Sequence, residues 1–362
     1  MSVLTPFIMA ITISIVDSER MGRPRKDENR LTIQAVAKRA GVSAMTVSNV
    51  INRTGRASEV TRERVRSAIA DLGYVPNQSA RRLVGSSVAC VGLIYSDVES
   101  VFIDTMLAAV AVRAAEKGIQ LQIRSARKDT PEGVAGVARD VIRQGAQALL
   151  LLPPHAEMLG EYADTGSLGV PLAAIATALA LPHISTVRID NRAASCAITE
   201  RLILKGRRRI AVMTGAPQHS DSVARLEGYR DALRAHGLPI DPALCVEGDF
   251  TFQSGLAAAQ QLLDLSPKPD AIVAANDDMA AAVLWMAHQR AISLPADLSV
   301  TGFDDTLIAT RVWPPLTTVR QPIRDMAAEA MEWLALAVRQ PEKHSNAVDI
   351  VLPFALIERG SV

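Results

Sequence analysis

The sequence predicts an α/β protein with a small all-helical head at its N-terminal end. Three observations predict it. Three short amphipathic helical patterns follow one another between Thr32 and Gly73, within a basic stretch. From Val88 onward, apolar strand-like runs alternate with amphipathic helical runs, which implies parallel sheets covered by helices on both faces. These units are too many for one sheet and natural for two, and 362 residues suit two or three domains.

The elements follow in order. Val3 to Val16 is mostly apolar but lacks a basic flank and a small-residue cleavage site, and Pro6 interrupts it. It is too short to span a bilayer. Residues 1–29 are therefore expected to be a flexible extension, or the sign of a start codon set too early with Met21 the true start. Residues 30–76 hold the head. Its first helix begins at Thr32 with Val36 and Ala40 inward, and a tight turn follows at Gly41-Val42-Ser43. Ser43 caps a second helix in which Val47, Val50 and Ile51 face inward and Ala44, Met45, Ser48 and Asn49 face out. Ser58 precedes a third helix carrying Val65, Ile69 and Leu72, which Gly73 ends. Two helices around a tight turn form the layout of a DNA-binding helix-turn-helix. Pro76 then breaks the chain, and Asn77 can cap one or two turns of helix over residues 77–86.

In the body, the expected strands are Val88–Tyr95, Ile119–Arg124, Ala148–Leu152, Leu172–Ala176, Arg209–Thr214, Ala271–Ala275 and Leu298–Phe303. The expected helices are Phe102–Lys117, Val134–Gln144, Arg192–Lys205, Ser222–His236, Gln253–Leu263, Asp277–Arg290 and Arg324–Gln340.

A net charge of +1 conceals an asymmetry. Met21 to Gly85 carries thirteen Lys/Arg against five acids, a local charge of +8, so the rest of the chain is acidic. A basic head on an acidic body points to a polyanionic partner for the head alone. The three cysteines, Cys90, Cys196 and Cys245, are far apart and odd in number, which suits free thiols in a reducing cytoplasm. No G-x-S-x-G, P-loop, H-E-x-x-H or Cys-pair metal pattern occurs, and the histidines are scattered, so neither an enzyme, a metal nor a cofactor is expected. No later apolar run reaches transmembrane length.

With these features in place, the chain resembles the lactose-repressor/galactose-repressor (LacI/GalR) family from about Thr32 to Arg359. The motifs VAKRAGVSAMTVSNVIN, LGYVPNQSARRL, ARLEGY, AANDDMA, VTGFDD and PPLTTVRQP fall in family order. The resemblance implies a three-helix headpiece, a hinge helix over 77–86, and a core over 87–362 built like a periplasmic sugar-binding protein. That core would consist of two Rossmann-like subdomains, about 87–190 plus 320–345 and about 191–318 plus 346–362, with crossovers near Ile189, Val319 and Asn346.

The resemblance also implies roles. Ala44, Met45 and Asn49 stand at base-reading positions: a methyl, a thioether for a thymine methyl, and an amide for adenine N6/N7. Relatives commonly carry Arg where Asn49 stands. Ser43, Thr46, Ser48, Asn52, Thr61 and Tyr74 stand where relatives hold phosphates, contacts that fix register without specifying sequence. Leu83 would wedge into the minor groove, with Ala80 letting two hinge helices approach. Arg225, Asn276 and Asp304 would bind a small polar effector such as a sugar, with Phe250 stacking on it and Phe102, Ser96 and Asp190 contributing. The implied whole is a ligand-responsive regulator, a repressor of a carbohydrate-utilisation operon, acting as a homodimer on near-palindromic double-stranded operator DNA. The chain carries no leucine heptad tail after its last expected strand, which favours a dimer.

Overall fold

The computed structural model describes residues 33–52, 57–72, 89–126, 130–162, 165–340, 342 and 346–362. The expected extension 1–29 and the hinge segment 77–86, with Ala80 and Leu83, lie outside the described residues, as does Tyr74. The chain divides into two compact units at Ser87/Val88.

The first unit holds the helices Ile33–Ala40, Ala44–Asn52 and Glu59–Leu72. Val36, Ala37, Ala40, Val47, Val65 and Ala68 form its buried centre. The turn between the first two helices needs a left-handed residue, and Gly41 supplies it with φ +64. Arg64 on the third helix donates to the Ala40 carbonyl at 2.6 Å, closing the exposed end of the first helix. Ser43 Oγ accepts from Thr46 N at 3.1 Å, and Ser58 Oγ from Thr61 N at 3.3 Å, so both serines cap the helices that follow them. One expectation needs correction. Ala44 is half-buried against the head's centre rather than facing out, because it lies three residues before Val47 and shares its face.

In the second unit the strands are, in chain order, β1 (Cys90–Tyr95), β2 (Gln120–Ser125), β3 (Ala148–Leu151), β4 (Leu172–Ile175), β5 (Ser185–Arg188) and β6 (Ile210–Thr214). They continue with β7 (Cys245–Glu247), β8 (Ala271–Ala274), β9 (Ser299–Asp304), β10 (Thr317–Arg320), β11 (Asp349–Val351) and β12 (Ala355–Ile357). Among the described residues they form two six-stranded sheets, ordered β11-β5-β4-β3-β1-β2 and β12-β10-β9-β8-β6-β7. All pairings are parallel except β10 with β12.

Period-two alternation feeds both faces of each sheet. Along β3, Ala148 and Leu150 join one buried cluster, and Leu149 and Leu151 the other. The second sheet is covered in the same way. Gly92 in β1 lies against Val141 of the helix Pro131–Arg143, where any Cβ would collide with that side chain. The helix Ile323–Arg339 returns to the first sheet and packs its Met326, Ala330 and Leu334 into the cluster that also holds Met106 and Val110.

The chain thus passes between the sheets three times: after β5, after β10 and after β11. The first two crossings fall where the sequence places them. The third falls after Val351, not near Asn346. The reason is a set of bonds distant in sequence: Asp349 accepts from Thr186 Oγ1 at 2.6 Å and from the Arg188 guanidinium at 2.8 and 2.7 Å, which ties β11 alongside β5. Strands β5, β7, β10, β11 and β12 and the helices His155–Tyr162 and Leu307–Arg311 were not among the expected elements. No helix among the described residues is long and apolar enough to cross a membrane.

Candidate functional site

In each sheet the strand order reverses at one point: β1 lies between β2 and β3, and β6 between β7 and β8. Open α/β sheets bind ligands beyond the carboxyl ends of strands at such points. A cleft open to solvent lies there and takes its walls from both halves of the body. Ser96 follows β1, Pro153 follows β3, and Val98, Ser100, Phe102 and Ile103 complete a first wall that is apolar apart from its two serines. The opposite wall is polar, with Asp221, Arg225, Asp249, Asn276 and Asp304, alongside His219 and Phe250.

Arg225 is the anchor of the polar wall. It stands on the helix Ser220–Ala235, is almost wholly buried, and pairs one turn away with Asp221 at 3.0 Å. Its Nε donates to Asn191 Oδ1 at 2.9 Å and its Nη1 to the Ala275 carbonyl at 2.6 Å. The guanidinium carbon lies 3.8 Å from the Phe303 ring centroid, a desolvated cation–π contact. A buried charge held by a carboxylate, an amide, a carbonyl and a ring has a single orientation.

Phe250 is held just as closely. Its φ is +70, a conformation a bulky residue rarely adopts. Two local bonds impose it. Asp249 Oδ1 accepts from Thr251 N at 3.0 Å, forming a tight turn around Phe250, and Asn276 Nδ2 donates to the Phe250 carbonyl at 2.8 Å. The ring lies over Gly215, where any Cβ would collide with it, and meets the His219 ring at 5.1 Å. Asn276 has a second task, since its Oδ1 caps the helix Asp277–Gln289 by accepting from Met279 N at 2.9 Å.

Asp304 ends β9 with φ +107, followed by Asp305 with φ +55. Arg320 and Arg359, each 2.6 Å from Asp305, fix this unusual backbone. Asp304 is buried and accepts from Gln321 Nε2 at 2.7 Å. Burial pushes its carboxyl well above the usual carboxylate range, with Arg225 pulling the other way. Behind it, burial raises Asp277 to about 7 despite hydrogen bonds from Thr318 and Thr306. Asp249 goes the other way. Burial opposes its ionisation, but hydrogen bonds with Ser254 and Thr251 outweigh that and hold it below the usual range.

Six of the seven residues expected at an effector site line this one cavity: Ser96, Phe102, Arg225, Phe250, Asn276 and Asp304. Asp190 does not. Its carboxylate accepts from Ala193 N at 2.9 Å and caps the helix Asn191–Leu204. His219, Asp221 and Asp249 line the cavity without having been singled out in the sequence. The i,i+4 spacing of Asp221 and Arg225 is the signal that could have found one of them.

In the head, Met45 projects into solvent at 68% exposure, while Ser48 and Asn49 are half-exposed and each engaged within the protein. Ser43 caps the second helix and shares a hydroxyl–hydroxyl bond of 2.9 Å with Thr46, while Thr61 gives its backbone N–H to the cap residue Ser58 and meets that serine's hydroxyl at 2.8 Å. Asn52 ends the second helix, and its side chain lies outside the described set.

Known proteins share both units. Residues 32–77 match the family model for bacterial regulatory proteins of the lacI family, and residues 199–362 match a periplasmic binding protein-like domain. The HTH-type transcriptional regulator CelR of Thermobifida fusca is 38% identical over 341 residues, which is 92% of this chain and 98% of CelR. The HTH-type transcriptional regulator GalR of Escherichia coli (strain K12) is 34% identical over 335 residues, covering 91% of this chain and 95% of GalR. Among solved structures, a CelR–cellobiose complex superposes with TM-score 0.67 at 34% identity, covering 92% of this chain and 100% of that one. The Lac repressor bound to ONPG in the repressed state superposes with TM-score 0.80 at 26% identity, covering 92% and 99%. With a helix-turn-helix head, a two-sheet body and relatives this similar over nearly their full length, the chain belongs to the lacI family of bacterial regulatory proteins, DNA-binding regulators of transcription.

Proposed function

We propose that this chain represses a carbohydrate-utilisation operon from the bacterial cytoplasm. It binds near-palindromic operator DNA as a homodimer and takes a sugar or sugar derivative into the body's cavity as effector. The observation that carries the effector reading is the pairing of walls. One wall offers hydrogen-bonding side chains at Arg225, Asn276 and Asp304, and the other offers the apolar surface of Val98, Phe102, Ile103 and Pro153. A sugar presents hydroxyls along its edge and C–H groups on its faces, which suits one wall of each kind. The relative crystallised with cellobiose supports the same class of ligand, and the Lac repressor solved as a dimer on operator supports the dimeric assembly.

On this reading, Met45 and Asn49 face base edges, with Met45 the most prominent, while Ala44, at the start of the same helix, turns its methyl to the head's centre. Ser43, Thr46, Ser48, Asn52, Thr61 and Tyr74 hold phosphates, and Ala80 and Leu83 meet the minor groove. Asp190 leaves the effector set because it caps a helix. The cavity senses and does not catalyse. The test is to select fragments of the source genome with purified protein, then measure binding to the recovered sites across a salt series. Affinity should fall steeply with salt, as several phosphates are neutralised. Failure to enrich any site, or binding indifferent to salt, would overturn the reading.

A further inference from the structure

The cavity's charge is lopsided. Asp221, Asp249 and Asp304 contribute carboxylates, and Arg225 is the one guanidinium among the lining residues. That guanidinium is already committed to Asp221 at 3.0 Å, to Asn191 and to the Ala275 carbonyl. Its positive charge is therefore spent within the protein, and Asp249, in its exposed turn, is left as the unneutralised carboxylate on the ligand space, since burial holds the Asp304 carboxyl towards its neutral form.

Helix N-termini are the usual alternative source of positive potential for an anion. Here the helices that begin beside the cavity carry their own acceptors. Asp278 Oδ2 takes the N–H of Val101, at the start of the helix Val101–Glu116, at 3.3 Å. Asn276 Oδ1 takes Met279 N, and Asp277 and Asp278 fill the first turn of that same helix. Asp221 occupies the first turn of the helix Ser220–Ala235. These acceptors already occupy or face the N-terminal N–H groups that could otherwise attract a phosphate or carboxylate. The wall across the cavity, built from Val98, Phe102, Ile103 and Pro153, offers no cation to compensate.

We infer that this cleft selects an uncharged polyhydroxylated ligand and rejects phosphorylated or carboxylated counterparts, with Asp249 as the discriminating side chain. The inference rests on the sugar-effector reading and narrows it from sugars in general to neutral ones. Discrimination arises from repulsion as much as from attraction. Like charges brought together in a partly desolvated cleft weaken binding by on the order of a hundredfold. Asp249 is suited to the role because it stands in an exposed turn and is not part of the Arg225 cluster.

The test uses the full chain and a calorimetric panel of neutral mono- and disaccharides, cellobiose included. Each sugar is set beside its 6-phosphate or its carboxylated form. Neutral members should bind at least about tenfold tighter than their acidic partners. Asp249→Asn keeps an oxygen for Thr251, removes one like charge and should narrow that gap by about tenfold, with circular dichroism showing the fold retained. Equal or tighter binding of an acidic form overturns this inference alone and leaves a sugar effector standing. An unchanged gap in the variant overturns the role of Asp249. Absence of binding across the panel overturns the sugar reading and this inference with it.

Discussion

Asp278 reaches across the cleft to cap a helix of the opposite half, its Oδ2 accepting from the backbone N–H of Val101 at 3.3 Å. Val101 opens the helix Val101–Glu116, whose own N-cap residue, Ser100, makes no side-chain capping bond. The missing cap is thus supplied from the other half of the body. A second contact also joins the halves: Ser220 donates to Glu157 and accepts from Ala178 N at 3.1 Å. Burial raises the Glu157 carboxyl as well. Any separation of the two halves would break both contacts and return both carboxyls to water.

Stability should depend on pH through Asp278. Burial lifts its carboxyl to about 6, with Asp104 and Glu99 adding repulsion and Val101 N–H opposing. An unfolded aspartate titrates near 3.9. Between about pH 4 and 6 the folded protein therefore binds more protons than the unfolded chain, and this group's contribution falls as pH rises through that window. Calorimetric unfolding of the wild type and Asp278→Asn should show the difference, wild type minus variant, declining from pH 4 to 6.5. A flat difference would contradict the assignment.

Arg225→Lys retains the charge and loses the fork. A lysine cannot engage Asn191, Ala275 and Asp221 together while stacking on Phe303. The variant should lose about 1–3 kcal/mol of stability. Its operator binding without sugar should persist, while the sugar response measured by fluorescence anisotropy disappears. A full response would remove Arg225 from the sensing wall.

Gly215→Ala should act through Phe250, whose ring occupies the space a Cβ would need. Displacing a ring locked at φ +70 should cost about 1–3 kcal/mol, as overpacking does, and weaken sugar binding in the same variant. Unchanged thermal unfolding would show that the ring has room to move.

Val36→Ala tests the head separately. Val36 is fully buried, and the head's centre is small. Removing two buried methyl groups should cost about 1.5–3 kcal/mol there. Operator binding should fall while the body's sugar affinity, measured by calorimetry, stays as in wild type.

Most of the fold was legible in local pattern. The long helices announce themselves through a period of 3.6, and strands such as Ala148–Leu151 as continuous apolar runs. The unforeseen strands β5, β7, β10, β11 and β12 are as short as β3 but mostly mix polar with apolar residues, as in Ser185–Arg188 and Thr317–Arg320, and are held by remote partners. Asp349 finds Arg188 and Thr186 more than 160 residues away, which is why the third crossing was misplaced. Ala44 was misassigned because a small apolar residue suits either face of a helix. In the cavity, six residues came from motif resemblance. Asp221 offers only its i,i+4 spacing to Arg225, His219 reads as one of several scattered histidines and Asp249 as a turn former, so tertiary structure is what gathers them.

The most direct test of a ligand-controlled DNA switch is a closed binding cycle. Operator affinity is measured with and without saturating sugar, and sugar affinity with and without operator. Linkage requires the same factor in both directions, and for a working regulator that factor should be about fivefold or more. A sugar that binds the body and leaves operator affinity unchanged would contradict the account.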